Sequence, residues 1–505
     1  MRTIRRHASV SLLLAGLWSC SAMAADQPAM DDFYWLSEIN KASAVMVVEQ
    51  AIVPKALGGR IAQAVTQTIA EAEKPGARRS GDYLVVEKSL IAIGGPDVTR
   101  IHSGRSRQDI GATIQRLGAR EHMLLAFERL NEARAAVLAL GARHPNAIVP
   151  AYTWGVQAQP ISFGHYMLGY AQALSRLSER TRQAYARLNA SPLGSAALGT
   201  SSFPVNRPRL AELLGFEAVI ENSLDAGQIS PIDSGAELVS LAEACAVTIT
   251  TFTADVTAQY AQTKPWLLLA EGPQTGVSSI MPQKRNPSGL VFLRERASML
   301  LGHAHTFLLM AHNVQAGMSD YKPIDPKQGD MPNSVLRETA EVLASFTAVL
   351  KTLAFDEKRA LDEVNADYSM TTELADILQR DADVPFRVGH HFASDLVNFG
   401  RSRNLRPADI GYEDAKRIYA EAAKLFNSDG RLPLSEEQFR RSLTAENMVA
   451  SSKGLGGPQP AEVARMMTAE QGRVASDRAW LEAARGNLQT AMQKRNGAFA
   501  ALMRE

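Results

Sequence analysis

The sequence predicts a mainly α-helical protein built around a bundle of long helices. Proline is absent from residues 97–144, 161–191, 232–264, 288–322 and 333–384. Because proline costs about 3 kcal/mol in a helix interior, long helices can run through these stretches. No region shows a series of alternating strands or of strand–helix units, so the fold class is mainly α.

Two of these stretches carry a clear helical pattern. Residues 163–190 and 237–262 each repeat apolar side chains at steps of three and four, which is one face of a helix. The repeating residues are Met167, Tyr170, Ala171, Leu174 and Leu177 in the first, and Leu238, Leu241, Ala242, Cys245 and Thr248 in the second. Helices longer than the usual three turns suggest a bundle that pairs with other copies of the chain.

The N-terminal 24 residues resemble a secretory signal. Arg2, Arg5 and Arg6 form a charged start, residues 8–18 are mostly apolar, and residues 22–24 (AMA) form a small-x-small cleavage site. We therefore expect a periplasmic or secreted protein. Lipidation at Cys20 is a less favoured alternative.

Charge and cysteine content exclude several classes. The chain has 54 Lys and Arg against 53 Asp and Glu, so a general nucleic-acid binder is not expected. No segment after the signal has about 18 uninterrupted apolar residues, so no membrane association is expected. Beyond Cys20 only Cys245 remains, which excludes an internal disulfide and a thiolate metal cage. No metal-ligand spacing occurs: the adjacent His390 and His391 lie on a predicted helix and point in different directions.

The segment at residues 102–109 (HSGRSRQD) combines a predicted helix start with two arginines. Ser106 and Asp109 have the spacing of a capping box, with Asp in place of the usual Glu. Arg105 and Arg107 then lie beside a helix N-terminus, which attracts anions. The functional interpretation of this segment is a clamp for a substrate carboxylate, which arginine binds through two parallel hydrogen bonds. From spacing alone, a solvated basic turn is the favoured alternative.

A second segment, residues 152–160 (YTWGVQAQP), offers a hydroxyl, two amides and an aromatic ring. Taken by itself it is interpreted as an ordinary loop. Pro160 is predicted to be the first residue of the helix that follows.

The third segment, residues 276–287 (GVSSIMPQKRNP), lies in a stretch rich in Gly, Pro and Ser that begins at Glu271. This composition predicts a mobile loop that closes over a site. A serine at its tip can act as a base or a nucleophile only if Lys284 and backbone N–H groups assist it. Asn286 and Pro287 predict the cap and first turn of the next helix. No Gly-x-Ser-x-Gly elbow is present, so a hydrolase triad is not favoured.

Together, the three segments resemble the fumarase/aspartase superfamily. Residues 278–287 look like its signature loop, and residues 102–109 resemble the corresponding stretch of argininosuccinate lyases. Two further motifs match: one consists of residues 192–195, 204–207 and 210–216, and the other consists of residues 374–376 and 384–387. The likeness spans roughly residues 80 to 400 in chain order, and a chance match to four motifs in order is hard to obtain.

The resemblance implies a mainly α, three-domain fold and a homotetramer whose active sites are each built by three subunits. The domains expected are a signal peptide at residues 1–24, an N-terminal helical domain at 25–109, a central long-helix bundle at 110–366 and a C-terminal helical domain at 367–505. Small-molecule carboxylates are the implied substrates, and no cofactor or metal is implied.

The resemblance also implies a reaction, the elimination of an amine from an N-substituted aspartate with release of fumarate. Loss of the C–H proton makes an anion whose charge spreads onto a carboxylate, so the site must hold positive charge and donors there. By position, Ser278 would be the base, and Lys284 would hold the carboxylate with Asn286. The other substrate-binding residues would be Ser106, Arg107, Gln108, Thr153 and Tyr321.

Several positions depart from the argininosuccinate lyase pattern. Trp154 stands where the family has a His, and Val291 stands where it has the Glu that pairs with that His. The indole is only a donor, so it cannot transfer the proton that the missing imidazole would. Val277 replaces a Gly before the serine and Gln108 replaces an Asn. Tyr321 matches the family's amine-side segment, but two prolines break the rest of it.

These departures leave three functions open. The first is an argininosuccinate lyase-like C–N lyase, supported by the kept Ser278, Lys284, Asn286, Arg107 and Thr153. The second is a 3-carboxymuconate cycloisomerase-like enzyme or another polycarboxylate lyase, because Trp154 and residues 284–289 look like that branch. The third is a non-catalytic tetrameric binding protein, which requires an inert serine loop. Exchange of the substrate C–H proton would separate the third from the others.

Overall fold

A computed structural model describes residues 30–316 and 330–504 of the chain. The expected signal peptide at residues 1–24 and the predicted substrate-binding residue Tyr321 lie outside the described residues. In the described part the fold is dominated by helices, as the sequence predicts, and the strands are short.

The helices are α1 Asp32–Glu49, α2 Lys55–Ala72, α3 Tyr83–Gly94, α4 Arg107–Arg143, α5 Phe163–Leu188, α6 Arg207–Leu213, α7 Ser230–Gln259, α8 Ser288–Ala311, α9 Met331–Thr352, α10 Glu357–Val364, α11 Thr371–Ala382, α12 Phe386–Ser402, α13 Tyr412–Lys424, α14 Glu436–Ser442, α15 Ala445–Ser451 and α16 Pro460–Ala501. The strands are β1 Ile148–Thr153, β2 Val156–Ser162, β3 Ala190–Ser191, β4 Ala218–Val219, β5 Leu267–Leu269, β6 Gly276–Val277, β7 Arg285–Asn286 and β8 Leu353–Phe355. They pair two by two, as β1–β2, β3–β4, β5–β8 and β6–β7, and only β3–β4 is parallel.

The chain divides into two compact units. Among the described residues, one unit contains residues 30–103 and 498–504, and the other contains residues 104–316 and 330–497. In the first unit, α1 begins at the cap residue Asp31, whose carboxylate accepts the N–H of Tyr34 and pairs with Arg79 at 2.7 and 2.8 Å. The division at residues 109 and 366 remains a prediction.

The second unit is built on long helices that pack side by side. α4 packs along α5 and α9, and α7 packs along α5, α8 and α9. Their shared core contains fully buried aromatic and aliphatic side chains such as Phe127, Leu174, Ile249, Leu300 and Phe346. Burial of such side chains from several helices provides the main stabilisation of the bundle.

The two helices predicted from apolar spacing are present, and the starting residue of one of them is shifted. The helix predicted at residues 163–190 is α5, which begins after the cap residue Ser162. The helix predicted from Glu237 begins seven residues earlier, at Ser230, because Pro231 is accommodated in its first turn. A π turn, Asp225–Ile229, leads directly into α7. His390 and His391 lie on α12 as predicted and are both exposed.

Among the described residues, one stretch has the length and composition of a membrane span. Within Asp225–Gln259, the most apolar window has a mean hydropathy of 1.3 and is half buried in the protein. A core helix passes the same test, and α7 packs against three neighbouring helices. Its Cys245 is fully buried, and burial raises the pKa of the thiol to about 12, so it is an inert core residue.

The helix α16 contributes a buried ion-pair network to the bundle. The side chain of Arg134 on α4 is 1% exposed, and its guanidinium donates to Asp477 of α16 at 2.5 Å. Asp477 also accepts from Ser178 at 2.7 Å and from Arg182 at 3.1 Å. The buried guanidinium of Arg134 and the buried carboxylate of Asp477 are therefore matched, which a buried ion pair requires.

Candidate active site

The segment at residues 102–109 begins α4 through the predicted capping box. The Ser106 hydroxyl accepts the N–H of Gln108 at 3.3 Å, and Asp109 accepts the N–H of Ser106 at 2.8 Å. Arg107 is the first residue of the helix and is exposed, whereas Arg105 is 6% exposed. Of the two arginines predicted as a clamp, Arg107 is thus accessible to a carboxylate.

Asp109 links this helix start to a second loop. Its other carboxylate oxygen accepts the N–H groups of Gly194 at 2.8 Å and Ala196 at 3.2 Å. Burial raises the pKa of Asp109 to about 6, although the three backbone donors and the nearby Arg105 favour the ionised form. The sequence predicts Asp109 only as a cap residue. Its contact with residues 194–196 was not predicted, because residues so far apart along the chain carry no local pattern that links them.

The second segment is the tip of a β-hairpin, so the expectation of an ordinary loop was wrong. Thr153 pairs with Val156, and the two residues between them, Trp154 and Gly155, have φ of 56° and 74°. Positive φ at both positions defines a type I′ turn, which matches the twist of the strands. Trp154 is fully exposed.

Pro160 lies inside β2, opposite Pro150, so the prediction that it starts a helix was also wrong. The helix starts three residues later because Ser162 provides the cap, its hydroxyl accepting the N–H of His165 at 3.3 Å.

Side chains beside the hairpin tip anchor it to α10 and the residues that follow. The Tyr152 hydroxyl donates to Glu363, which also pairs with Arg359 at 3.0 Å. Gln157 donates to the carbonyl of Val364 at 3.2 Å and to the hydroxyl of Ser369 at 3.0 Å. The tip that carries Thr153 is therefore held firmly on both strands.

Two side chains near the hairpin, Tyr152 and His165, are poorly suited to act as a general acid. Burial and the hydrogen bond to Glu363 raise the pKa of Tyr152 to about 12, which makes its hydroxyl a weak proton donor at neutral pH. The Nε2 atom of His165 lies 2.9 Å from the carbonyl oxygen of Gly456, so this ring nitrogen is already engaged in a contact with the protein backbone.

The third segment is a short hairpin rather than an irregular loop. Gly276 pairs with Asn286 and Val277 pairs with Arg285, so Ser278 and Lys284 are the next residues on the two sides of the turn. The Ser278 oxygen accepts the backbone N–H groups of Met281 at 3.1 Å and Ile280 at 3.4 Å. Donors at these positions stabilise negative charge on the oxygen, as a serine base requires.

The base of this hairpin is fixed by polar contacts. Arg285 pairs with Glu271 at 2.8 Å and donates to the carbonyl of Pro282 at 2.8 Å. α8 begins at Ser288 with Pro287 at the cap position. The predicted cap at Asn286 was therefore one residue early, because Asn286 pairs with Gly276 in the hairpin.

The three segments that carry the predicted site residues belong to different structural elements: the start of α4, the β1–β2 hairpin and the β6–β7 hairpin. Among the described residues, no hydrogen bond joins Arg107, Thr153 and Ser278 to one another. Lys284 and Thr153 are exposed, and Ser106, Gln108, Ser278 and Asn286 are partly buried. Trp154 and Val291, which replace the family's His and Glu, are both exposed. In the part of the chain that the structure describes, no group of three or more His, Cys, Asp or Glu side chains could hold a metal ion.

Comparison with known proteins agrees with this architecture. A lyase family model matches residues 85–302, and an argininosuccinate lyase C-terminal model matches residues 368–450. The argininosuccinate lyase of Methanocaldococcus jannaschii is 30% identical over 84% of this chain and 84% of its own length. That of Methanoculleus marisnigri is 31% identical over 76% of this chain and 75% of its own length.

Solved structures extend the likeness. A variant of EDDS lyase with bound fumarate superposes with a TM-score of 0.85 at 26% identity, covering 94% of this chain and 92% of that one. The 3-carboxy-cis,cis-muconate lactonizing enzyme of Pseudomonas putida has a TM-score of 0.64 at 16% identity, covering 88% and 95%, which is a likeness of fold alone.

The helical bundle and the serine hairpin, with these relatives, define a member of the fumarase/aspartase superfamily of lyases. Within that superfamily, the chain belongs to the argininosuccinate lyase family.

Proposed function

We propose that this protein is a carbon–nitrogen lyase that cleaves an N-substituted aspartate and releases fumarate. A base removes the proton from the carbon beside one carboxylate, and those electrons form the C=C bond. The C–N electrons leave with the nitrogen, which takes up a proton to give the free amine. Argininosuccinate is the reference substrate, since argininosuccinate lyases are about 30% identical over most of the chain.

The hairpin around Ser278 is the observation that carries the proposal. Two backbone N–H groups point at the Ser278 oxygen, and they lower the cost of a negative charge there. When the hydroxyl has given up its own proton to water, a serine alkoxide held by such donors can accept the proton of a weak carbon acid, whereas a neutral serine hydroxyl cannot. Ser278 is therefore assigned as the base.

The remaining predicted residues fit roles around the substrate carboxylates. Lys284 supplies positive charge on the other side of the hairpin, where the carboxylate gains charge in the transition state. Arg107, at the N-terminus of α4, offers a bidentate contact to a second carboxylate. The other proposed substrate-binding residues are Ser106, Gln108, Thr153, Asn286 and Tyr321.

Fumarate release by the purified protein tests the assignment. Wild-type protein given argininosuccinate should form fumarate, and Ser278→Ala should lose the activity while keeping its fold. The matched control is Ser402→Ala, which removes an exposed hydroxyl on α12 that bonds only its own helix. Activity that survives Ser278→Ala would contradict the assigned base.

Trp154 and Val291 favour a second candidate, a 3-carboxymuconate cycloisomerase-like enzyme or another polycarboxylate lyase. With both residues of the family's charged pair replaced, the leaving group and its acid need not be those of argininosuccinate lyase. A folded protein that forms no fumarate from argininosuccinate, yet exchanges the C–H proton of another polycarboxylate in deuterated water, would favour this candidate.

We also propose that the active enzyme is a homotetramer in which three subunits build each site. Support comes from α8, where only a narrow stripe is buried and apolar side chains such as Phe292, Met299 and Leu309 are exposed. A second observation is that Arg107, Thr153 and Ser278 belong to three different structural elements, with no hydrogen bond between them in the described part of the chain. Mixed tetramers, assembled from inactive Arg107→Ala subunits and inactive Ser278→Ala subunits, should recover activity. In some of their sites, Arg107 would come from a Ser278→Ala subunit and Ser278 from an Arg107→Ala subunit.

Mixed assemblies that stay inactive would contradict shared sites. Light scattering of the purified protein measures the subunit number directly. Phe292→Asp should lower the subunit number and the activity together, because a charge on an apolar interface opposes association.

The N-terminal sequence supports a further proposal, export to the periplasm or beyond. The charged start, apolar run and AMA site at residues 22–24 predict cleavage after residue 24. N-terminal sequencing of protein from the periplasmic fraction should begin at Ala25. An uncleaved protein found only inside the cell would contradict export.

A further inference from the structure

A π turn lies next to the start of α4. Residues Asp225–Ile229 form this turn just before α7, and it contacts α4. Turns of this kind are rare, and many occur at functional sites because they redirect side chains that a regular helix would not. Its residue Gln228 is 2% exposed, so its amide needs partners inside the protein.

Gln228 is bonded to a residue of the proposed site. Its Nε2 atom donates to Oε1 of Gln108 at 3.3 Å, across 120 residues of sequence. A carboxamide has one acceptor oxygen and two N–H donors. With the oxygen of Gln108 engaged by Gln228, that side chain offers a ligand its N–H donors, which are the groups that a carboxylate binds.

The length of the Gln108 side chain fits this contact. The family carries Asn at this position, and the extra methylene of Gln lengthens the side chain by one bond. Gln108 follows directly on Arg107, the proposed carboxylate ligand at the helix start. A fixed amide beside a fixed guanidinium gives a carboxylate more than one donor at once.

We propose that Gln228 is a positioning residue that fixes the amide of Gln108, so that the site selects an ionised carboxylate over a carboxamide. This inference rests on the proposed function, because it takes Gln108 as a substrate-binding residue. Gln228 itself does not touch the substrate. Gln228 affects specificity because it engages the oxygen of the Gln108 amide and leaves the N–H donors free for the substrate.

Binding of fumarate and of its monoamide, fumaramate, tests the inference by calorimetry. In Gln228→Met the volume is kept but the donor is lost, so fumarate affinity should fall about tenfold, as expected for one hydrogen bond. Fumaramate affinity should fall less, so the preference for fumarate should shrink. A merely structural role would weaken both ligands equally. The matched control is Gln172→Met on α5, a partly buried glutamine away from the site.

Gln228→Glu gives a second test that keeps the size of the side chain. At high pH its carboxylate accepts from the Gln108 amide and leaves the Gln108 oxygen free, so fumarate affinity should fall on the order of 100-fold. At low pH the neutral carboxyl donates as the amide does, so the affinity of the variant should return to that of the wild type measured at the same pH. Absence of this rescue in a folded variant would overturn the inference.

The outcomes separate the inference from the proposed function. Wild-type protein that neither binds fumarate nor forms it would contradict the function. Wild-type protein that binds fumarate, with Gln228→Met keeping both the affinity and the preference, would overturn the role of Gln228 alone. In a double-mutant cycle, Gln108→Met with Gln228→Met should be no worse than Gln108→Met, because both act through one contact.

Discussion

Replacing Asp109 by Asn should change how the stability of the protein depends on pH. Asp109 is fully buried, and burial raises the pKa of its carboxyl from 3.8 to about 6. The folded protein therefore binds this proton more tightly than the unfolded chain. The stability from the protonated carboxyl is fully present below pH 3.8 and is lost as the pH rises through about 6.

The size of the effect follows from the gap between the two pKa values. The gap is about 2 pH units, and each unit corresponds to about 1.4 kcal/mol. The complete loss is thus roughly 3 kcal/mol of unfolding free energy, most of it between about pH 4 and pH 7.5. The Asn variant has no titrating group there, so the free-energy difference between wild type and variant should fall by about 2–3 kcal/mol over this range.

Urea unfolding of both proteins across this pH range measures that difference. Asp82→Asn is the matched control, since Asp82 caps α3 from an exposed position where little water is displaced. A difference for Asp109→Asn that stays flat within about 0.5 kcal/mol would refute the argument that desolvation dominates at this carboxyl. It would mean instead that the donors from Ser106, Gly194 and Ala196 offset the burial.

Three further outcomes are expected. Arg134→Met should destabilise the protein by about 3–5 kcal/mol in chemical unfolding because it leaves Asp477 without its buried partner, and Arg134→Met with Asp477→Leu should recover part of this. Trp154→Gly should stabilise the folded protein by about 1 kcal/mol, since it removes a bulky residue from positive φ. If Trp154 serves the substrate, the same variant should lower kcat/KM, whereas unchanged activity would make it a structural residue. Gly400→Ala should cost roughly 1–3 kcal/mol in thermal unfolding, because its methyl group would lie 1.9 Å from the Tyr368 hydroxyl.

The sequence predicted those parts of the fold that depend on local rules. The capping box at Ser106 and the helix from Phe163 were found because caps, proline gaps and apolar spacing act over a few residues. The hairpin at Trp154 was missed because its turn carries a tryptophan where Asn or Gly is usual. A bulky residue with positive φ breaks a local rule, and such exceptions concentrate at functional sites.

Contacts between distant parts of the chain gave no signal in a single sequence. Asp109 reaches residues 194–196, Gln228 reaches Gln108, and Asp477 reaches Arg134. Each pair joins residues that look like ordinary surface or cap residues when considered alone. Motifs in the sequence therefore predicted which residues belong to the candidate site. The long-range contacts that orient those residues became known only from the structure.

The ion pair between Arg134 and Asp477 has a consequence for biosynthesis. The two residues are 343 positions apart, so the ribosome completes the bundle helices long before it makes Asp477. Until then a guanidinium destined for the interior lacks its carboxylate, which costs the unfinished bundle stability. A message or a polypeptide cut short before residue 477 would yield a product that cellular proteases recognise. Subunits that lack the last long helix should therefore unfold more readily and be degraded faster than complete ones.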